Sequence, residues 1–213
     1  MPPVVAPPPP PVDGDRGVGV AEVGRFVIRS GADTVSIETF RSSASASRSD
    51  MRIRGGPTLQ VGTEVGGDAL IPSATLLFWR PGAPTSDPPD VEIVVTFSDA
   101  EVSVQRTTLG GGQTTERRDV QPGTMPWTNP SMILLEQVVR RGRAAGVTSV
   151  PLYDALGGGA LSEAFLAAGT ADTVIVTLPD AEFHLAIDAL GRLVGGRVAP
   201  SGATISREPL TVN

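Results

Sequence analysis

Apolar and polar residues alternate with a period of two along most of this chain from Val23 onward, as at Val35 and Ile37. Successive side chains of a β-strand point to opposite faces, so this alternation is typical of strands that are buried on one face. The pattern predicts strands at residues 24–30, 33–41, 49–54, 58–65, 73–80, 91–97, 101–107, 114–119, 147–152, 172–178, 181–187, 192–199 and 203–207.

Short segments rich in Gly, Ser and Asp separate many of these strands. They lie at residues 30–33, 98–100, 110–112, 179–180 and 188–191. Such residues supply the backbone angles and local hydrogen bonds of tight hairpin turns. An up-and-down antiparallel meander is therefore the simplest topology, and the chain is expected to be mainly β (α+β).

One helix is well signalled between the eighth and tenth predicted strands. Asn129 suits the N-cap and Pro130 the first helical position, and an apolar stripe follows at residues 132, 135, 138 and 139. Basic residues at 140, 141 and 143 complement the helix dipole before Gly146. A second, shorter helix is predicted from Ser162 to Ala168, which makes a helical insertion near residues 129–169.

The first 22 residues differ from the rest, with prolines at positions 2, 3 and 7–11. Such a run forms solvated polyproline II. It is interpreted as a tether that joins an upstream signal or anchor to a single β-rich domain at 23–213, with a docking peptide for an aromatic groove as the alternative. The expected location is periplasmic or extracellular, with the cytoplasm as the alternative.

The amino-acid composition limits the ligands and reactions that are expected for this protein. A net charge of -6 disfavours binding to nucleic acid, because the field of the protein repels phosphate backbones. The absence of cysteine excludes thiolate nucleophiles and Cys-ligated metals, and the single histidine excludes multi-His metal sites. We expect no cofactor and no metal. No apolar run reaches 18 residues, so no membrane span is expected in this chain.

His184 is the only histidine, and alternation places it on the same strand face as Glu182. A carboxylate at that spacing could raise the pKa of the imidazole and support a general base, with Asp188 as a second candidate partner. The chain contains no G-x-S-x-G motif to supply a nucleophile. A solvent-facing polar position is the simpler interpretation.

Two other groups of charged residues are candidates for ligand binding. Asp87, Asp90 and Glu92 offer oxygen ligands, but their spacing matches no calcium loop. Arginine groups at 52 and 54, 117 and 118, and 140–143 could form an anion patch. Both sets are interpreted as solvated surface charge.

The segment LLFWRP (76–81) is apolar on both faces, so its strand should be covered twice. Either a ligand or the residue 132–139 helix could be the second cover, and the helix as ordinary core is the simpler alternative. The candidate ligand-binding residues are large apolar side chains near this strand and on the helix: Leu77, Trp79, Trp127, Leu135 and Val139.

The C-terminal segments DTVIVTLP, AEFHLAID, ALGRL and GGRVAPSGATISRE form successive strands and turns. Their order resembles the closing hairpins of bacterial envelope proteins related to the lipoprotein-localisation carriers. The resemblance implies an antiparallel sheet curled into a half-barrel around an apolar cavity, with one or two helices packed as a lid.

The leading hypothesis is a non-enzymatic extracytoplasmic domain that binds an apolar or lipid-like ligand, or a protein partner, in the concave face of the sheet. A structural or accessory subunit of a larger envelope assembly and a hydrolase using His184 are the alternatives. The sequence leaves the oligomeric state open.

If the sheet curls, alternation predicts which residues face the concave side and the helix. They are Val35, Ile37, Val61, Val65, Ile93, Val95, Phe97, Val174, Val176, Phe183, Leu185 and Ile187. Glu38, Glu64, Glu92 and His184 should face outward.

Overall fold

A computed structural model describes residues 22–170 and 172–210 of the chain. The predicted tether at residues 1–22 lies outside this part, apart from its last residue. The strands are β1 Glu22–Ser30, β2 Asp33–Ser42, β3 Ala46–Ile53, β4 Thr58–Glu64, β5 Ser73–Trp79, β6 Val91–Phe97, β7 Glu101–Thr108, β8 Gln113–Asp119, β9 Met125–Trp127, β10 Ser149–Asp154, β11 Ala160–Ala168, β12 Thr173–Leu178, β13 Ala181–Ile187, β14 Leu193–Ala199 and β15 Ala203–Pro209. The helix α1 spans Met132–Ala145, and a short 3-10 turn spans Gly67–Ala69.

All fifteen strands belong to one sheet, in the order β8-β7-β6-β5-β4-β3-β2-β1-β15-β14-β13-β12-β11-β10-β9. Pairing of β1 with β15 joins the two arms of the meander in the middle of the sheet. Neighbours are antiparallel, apart from the parallel pair of β9 with β10. The sheet curls without closing, so the predicted mainly β half-barrel with one or two helices is confirmed, and the described residues contain one α-helix.

Side chains, not a strand ladder, connect the two ends of the sheet in the part of the chain described. Arg106 on β7 donates to the Ala155 carbonyl at 3.2 Å, and Arg118 on β8 donates to the Gly159 carbonyl at 2.5 Å. The rings of Phe97 and Tyr153 meet edge to face with centroids 6.3 Å apart. Side-chain contacts therefore hold the two ends of the curled sheet together.

The helix α1 lies in the concavity of this sheet. Eight successive residues, 132 to 139, are buried, so the first two turns are covered on every side. A helix packed on one side of a sheet would keep an exposed stripe. The sheet thus wraps around α1, and the helix fills the concave space that the sequence assigned to an apolar ligand.

Two predictions in the helical region were wrong in detail. The N-cap of α1 is Ser131, whose hydroxyl accepts from the Leu134 amide, rather than Asn129. The predicted helix at 162–168 is strand β11, which pairs with both β10 and β12. Ala, Leu and Glu in ALSEAFLAA favour a helix locally, but two flanking strands satisfy the backbone of this segment better. The short strand β9 was not predicted from the sequence.

Alternation predicted most of the concave face correctly, since Val61, Ile93, Val95, Val176 and Leu185 are buried. Strand β2 is the exception, because its faces are reversed. Ile37 is 36% exposed, whereas Glu38 is only 2% exposed and points inward with Ser36 and Phe40. Glu64 and His184 face outward as predicted.

Candidate functional site

Glu38 anchors the N-terminus of α1 to the sheet. Its carboxylate accepts from the Met132 amide at 2.5 Å, the Ile133 amide at 3.2 Å, the Ser131 hydroxyl at 2.8 Å and the Ser49 hydroxyl at 2.7 Å. Helix N-termini expose unpaired amide donors and a partial positive charge, which a carboxylate satisfies. Burial raises the pKa of Glu38, against the lowering effect of these hydrogen bonds.

A second buried carboxylate, Glu136, fixes the next turn of α1. It accepts from Arg207 of β15 at 2.5 Å and from the Leu193 amide at 2.9 Å. Burial raises the pKa of Glu136, and the charge of Arg207 opposes that rise. The Arg207 guanidinium lies 4.7 Å from the ring centre of Phe40 and 5.2 Å from that of Phe26. Cation-π contact and ion pairing therefore hold one arginine between helix and sheet.

Both oxygens of the Glu38 carboxylate accept hydrogen bonds from the protein itself, and Oε2 of Glu136 accepts two. These contacts position α1 against the sheet. We therefore assign Glu38 and Glu136 a structural role, which the sequence analysis missed because it read Glu38 as an outward-facing position. A signal was present, since Ser36, Glu38 and Phe40 alternate together on one face.

The structure separates the five predicted ligand-binding residues. Leu135 and Val139 lie fully buried on α1, and Trp127 is buried in the edge strand β9. Leu77 and Trp79 share the opposite, outer face of the sheet. The Trp79 indole donates to the Asp87 carbonyl at 2.9 Å, so the loop after β5 covers that ring. Ligand binding by this set stays a prediction, but these residues do not form one cavity.

His184 and Glu182 form the pair that alternation predicted. His184 Nε2 and Glu182 Oε1 lie 2.6 Å apart, and the two side chains are 43% and 44% exposed. The cross-strand neighbours of His184 are Ile175 and Arg197. Within the described residues His184 has no hydrogen bond to a serine or threonine hydroxyl. The pair is a solvated feature of the outer face and lacks a positioned nucleophile.

One of the three acidic residues near β6, Asp90, is already bound to an arginine. Asp90 accepts from the Arg80 backbone amide at 2.8 Å and from its guanidinium at 3.0 Å. Across residues 22–170 and 172–210, no group of three His, Cys, Asp or Glu side chains is placed to hold a metal ion. None of the helices described there has the length and apolar character to cross a membrane.

An open groove of about 620 Å³ lies on the outer face, beside β11 and β12. Leu161 and Phe165 are on the outward face of β11 and are 53% and 54% exposed. Leu178 and Pro179 add apolar surface, and the polar lining residues are Gln121, Ser162, Glu163 and Thr177. This groove was not predicted from the sequence, because residues 162–168 were expected to form a helix.

Two solved structures are similar to this chain. A crystal structure of a DUF1089 family protein from Pseudomonas aeruginosa has 13% identity and a TM-score of 0.52, over 76% of this chain and 89% of that chain. A β-barrel-like protein of the domain of unknown function DUF1849 from Brucella abortus has 12% identity and a TM-score of 0.47, over 91% and 98%. At such identity the first likeness shows the fold alone. No family model and no curated protein matches the chain.

Proposed function

We propose that this protein is a non-enzymatic, extracytoplasmic binding domain that holds a lipid-like ligand in the groove beside β11. The observation that carries the proposal is the exposure of Leu161 and Phe165 on one strand face, four residues apart, at the same groove. A volume of about 620 Å³ lies within the usual range for small-ligand sites, roughly 300–1,000 Å³. Exposed apolar patches with polar rims are typical of such sites.

This proposal moves the ligand from the concave face, where the sequence analysis placed it, to the outer face. The reason is steric, because α1 occupies the concavity and two buried carboxylates secure it. A relation to the lipoprotein-localisation carriers belongs to the same proposal. It is supported by the curled antiparallel sheet and its enclosed helix.

A structural or accessory subunit is a second candidate, favoured by the edge strand β8. All seven residues of β8 are exposed, and its only strand partner among the described residues is β7. An unpaired edge can accept an added strand from another chain, although the charges at 116–119 oppose indiscriminate pairing. No comparable observation favours a hydrolase.

Ligand binding is tested with purified full-length protein and a fluorescent long-chain fatty acid, alongside organic extraction and mass spectrometry of bound lipid. Phe165→Asp should weaken fatty-acid binding at least about tenfold, because burying a phenyl ring contributes roughly 1.5–3 kcal/mol. Leu190→Asp is the matched control, since Leu190 is exposed on a turn that does not line the groove. Saturable binding lost only in Phe165→Asp supports the proposal. Absence of binding, or equal binding by both variants, contradicts it.

A further inference from the structure

Two arginines lie directly opposite each other on the outer face of the sheet. Arg41 of β2 and Arg48 of β3 are cross-strand partners, and both are exposed. Directly opposed residues have Cβ atoms about 4.5–5.5 Å apart, and like charges at that spacing are destabilising. The native sheet therefore keeps an unfavourable pair unless an anion lies between them.

No carboxylate in the described chain compensates for this pair by direct contact. Neither Arg41 nor Arg48 has an acidic oxygen within 4.0 Å among the described residues, and Arg48 donates only to the Gln60 amide oxygen at 3.3 Å. By contrast Arg25, on the same face of β1, is paired with Glu208 at 2.6 Å. The Arg41 and Arg48 charges are thus available to a ligand.

A second groove, of about 440 Å³, adjoins the pair. Its lining includes Thr39 and Asp50, which are opposed to each other and lie two residues along the same strand faces from Arg41 and Arg48. The remaining lining residues are Ile37, Arg52, Thr58 and Thr85. Threonine hydroxyls and a carboxylate can bond the hydroxyl groups of a ligand, and Arg52 adds positive charge.

We propose that the outer face of β2 and β3 binds a phosphorylated sugar. Its phosphate lies between Arg41 and Arg48, whose planar guanidinium groups match phosphate oxygens in bidentate geometry. Its hydroxylated ring lies in the groove against Thr39, Asp50 and Thr58. Although the protein carries a net charge of -6, screening limits that field to about 8 Å at physiological salt, so the local arginines dominate here.

The proposal is tested by titrating the full-length protein with glucose 6-phosphate at low ionic strength, followed by backbone amide chemical shifts. Saturable shifts should map to β2 and β3, and the Arg41→Gln/Arg48→Gln variant should bind at least tenfold more weakly. Arg80→Gln is the control, because Arg80 is exposed, paired with Asp90 and does not line this groove. Absence of saturable binding, or equal binding by both variants, overturns the site.

Two further readouts separate this role from a merely structural one. Glucose alone and inorganic phosphate alone should each bind more weakly than glucose 6-phosphate, whereas equal affinity for inorganic phosphate overturns the part of the proposal that involves the groove. Without ligand, Arg48→Gln should raise the urea midpoint, because it removes repulsion from Arg41. A lowered midpoint would show that Arg48 stabilises the sheet and would contradict a ligand-binding role.

Discussion

The carboxylate of Glu38 accepts a hydrogen bond from the Met132 amide at 2.5 Å, across 94 positions of sequence. This contact joins the inner face of β2 to the first turn of α1. Replacing Glu38 with Ala leaves two amides and two hydroxyls without this acceptor. We expect a loss of roughly 2–4 kcal/mol in the free energy of unfolding, since each unsatisfied buried group costs about 1–3 kcal/mol and partial rearrangement offsets some of that cost.

Urea denaturation followed by circular dichroism measures this loss. Glu64→Ala is the control, because Glu64 is an exposed carboxylate on β4 of the same sheet and its removal should change stability by less than about 0.5 kcal/mol. A similar small effect for Glu38→Ala would show that α1 is not held at its N-terminus by this side chain.

The two buried carboxylates also predict a pH dependence. Burial raises the pKa of Glu38 and of Glu136 above the ordinary value of 4.5. The folded state then binds more protons than the unfolded state between 4.5 and the raised pKa, so stability falls as pH rises through that window. Acidification through that window towards 4.5 should therefore increase the contribution of these groups to stability.

The Glu38→Gln/Glu136→Gln variant isolates this effect, because its free energy of unfolding should gain less than that of the native protein over the same pH range. Further acidification should instead reduce the contribution of Glu208 to stability. Hydrogen bonds from Arg25 and Arg29 lower its pKa below 4.5, so the stability it contributes is lost as pH falls through the lowered pKa. Identical pH profiles for the variant and the native protein would contradict the assigned burial of the two carboxylates.

Adjacent residues on β13 should differ sharply in their effect on stability. Leu185 is fully buried against the interior, so Leu185→Ala should cost roughly 2–5 kcal/mol. His184 is exposed on the other face, and His184→Ala should cost no more than about 0.5 kcal/mol. Thermal and urea denaturation of both variants measure the difference. A large loss of stability in His184→Ala would indicate that the contact of His184 with Glu182 stabilises the fold.

The order and faces of the strands could be predicted where apolar alternation had one interpretation. Val174 and Val176 on β12, and Phe183 and Leu185 on β13, show this, since turns bound both strands and the opposite face of each is mostly polar. The curvature of the sheet could be predicted only from the resemblance to other proteins. Alternation specifies which face of a sheet is buried but not how far the sheet bends.

The failures share a physical cause, which is that distant contacts overrode local preference. On β2, the apolar Ile37 predicted the wrong face because the helix N-terminus needs a carboxylate at Glu38. On β11, helix-forming residues became a strand because β10 and β12 flank them. The groove at Leu161 and Phe165 could not be predicted, since it depends on that strand assignment.

The ligand is expected to bind outside the curled sheet while α1 stays within it. The chain has no cysteine, so one introduced pair can lock the helix without side reactions. Gly142 of α1 and Leu166 of β11 are chosen for this pair because they are in contact: a β-carbon built on Gly142 lies 3.0 Å from a Leu166 methyl carbon.

The decisive measurement is the affinity of the Gly142→Cys/Leu166→Cys variant for the fluorescent fatty acid, before and after reduction of the disulfide. Mass spectrometry first establishes that the bond has formed. We expect equal affinity in the oxidised and reduced states, both close to that of the native protein. Binding abolished by oxidation and restored by reduction would show that the ligand enters the space filled by α1, which would contradict binding on the outer face.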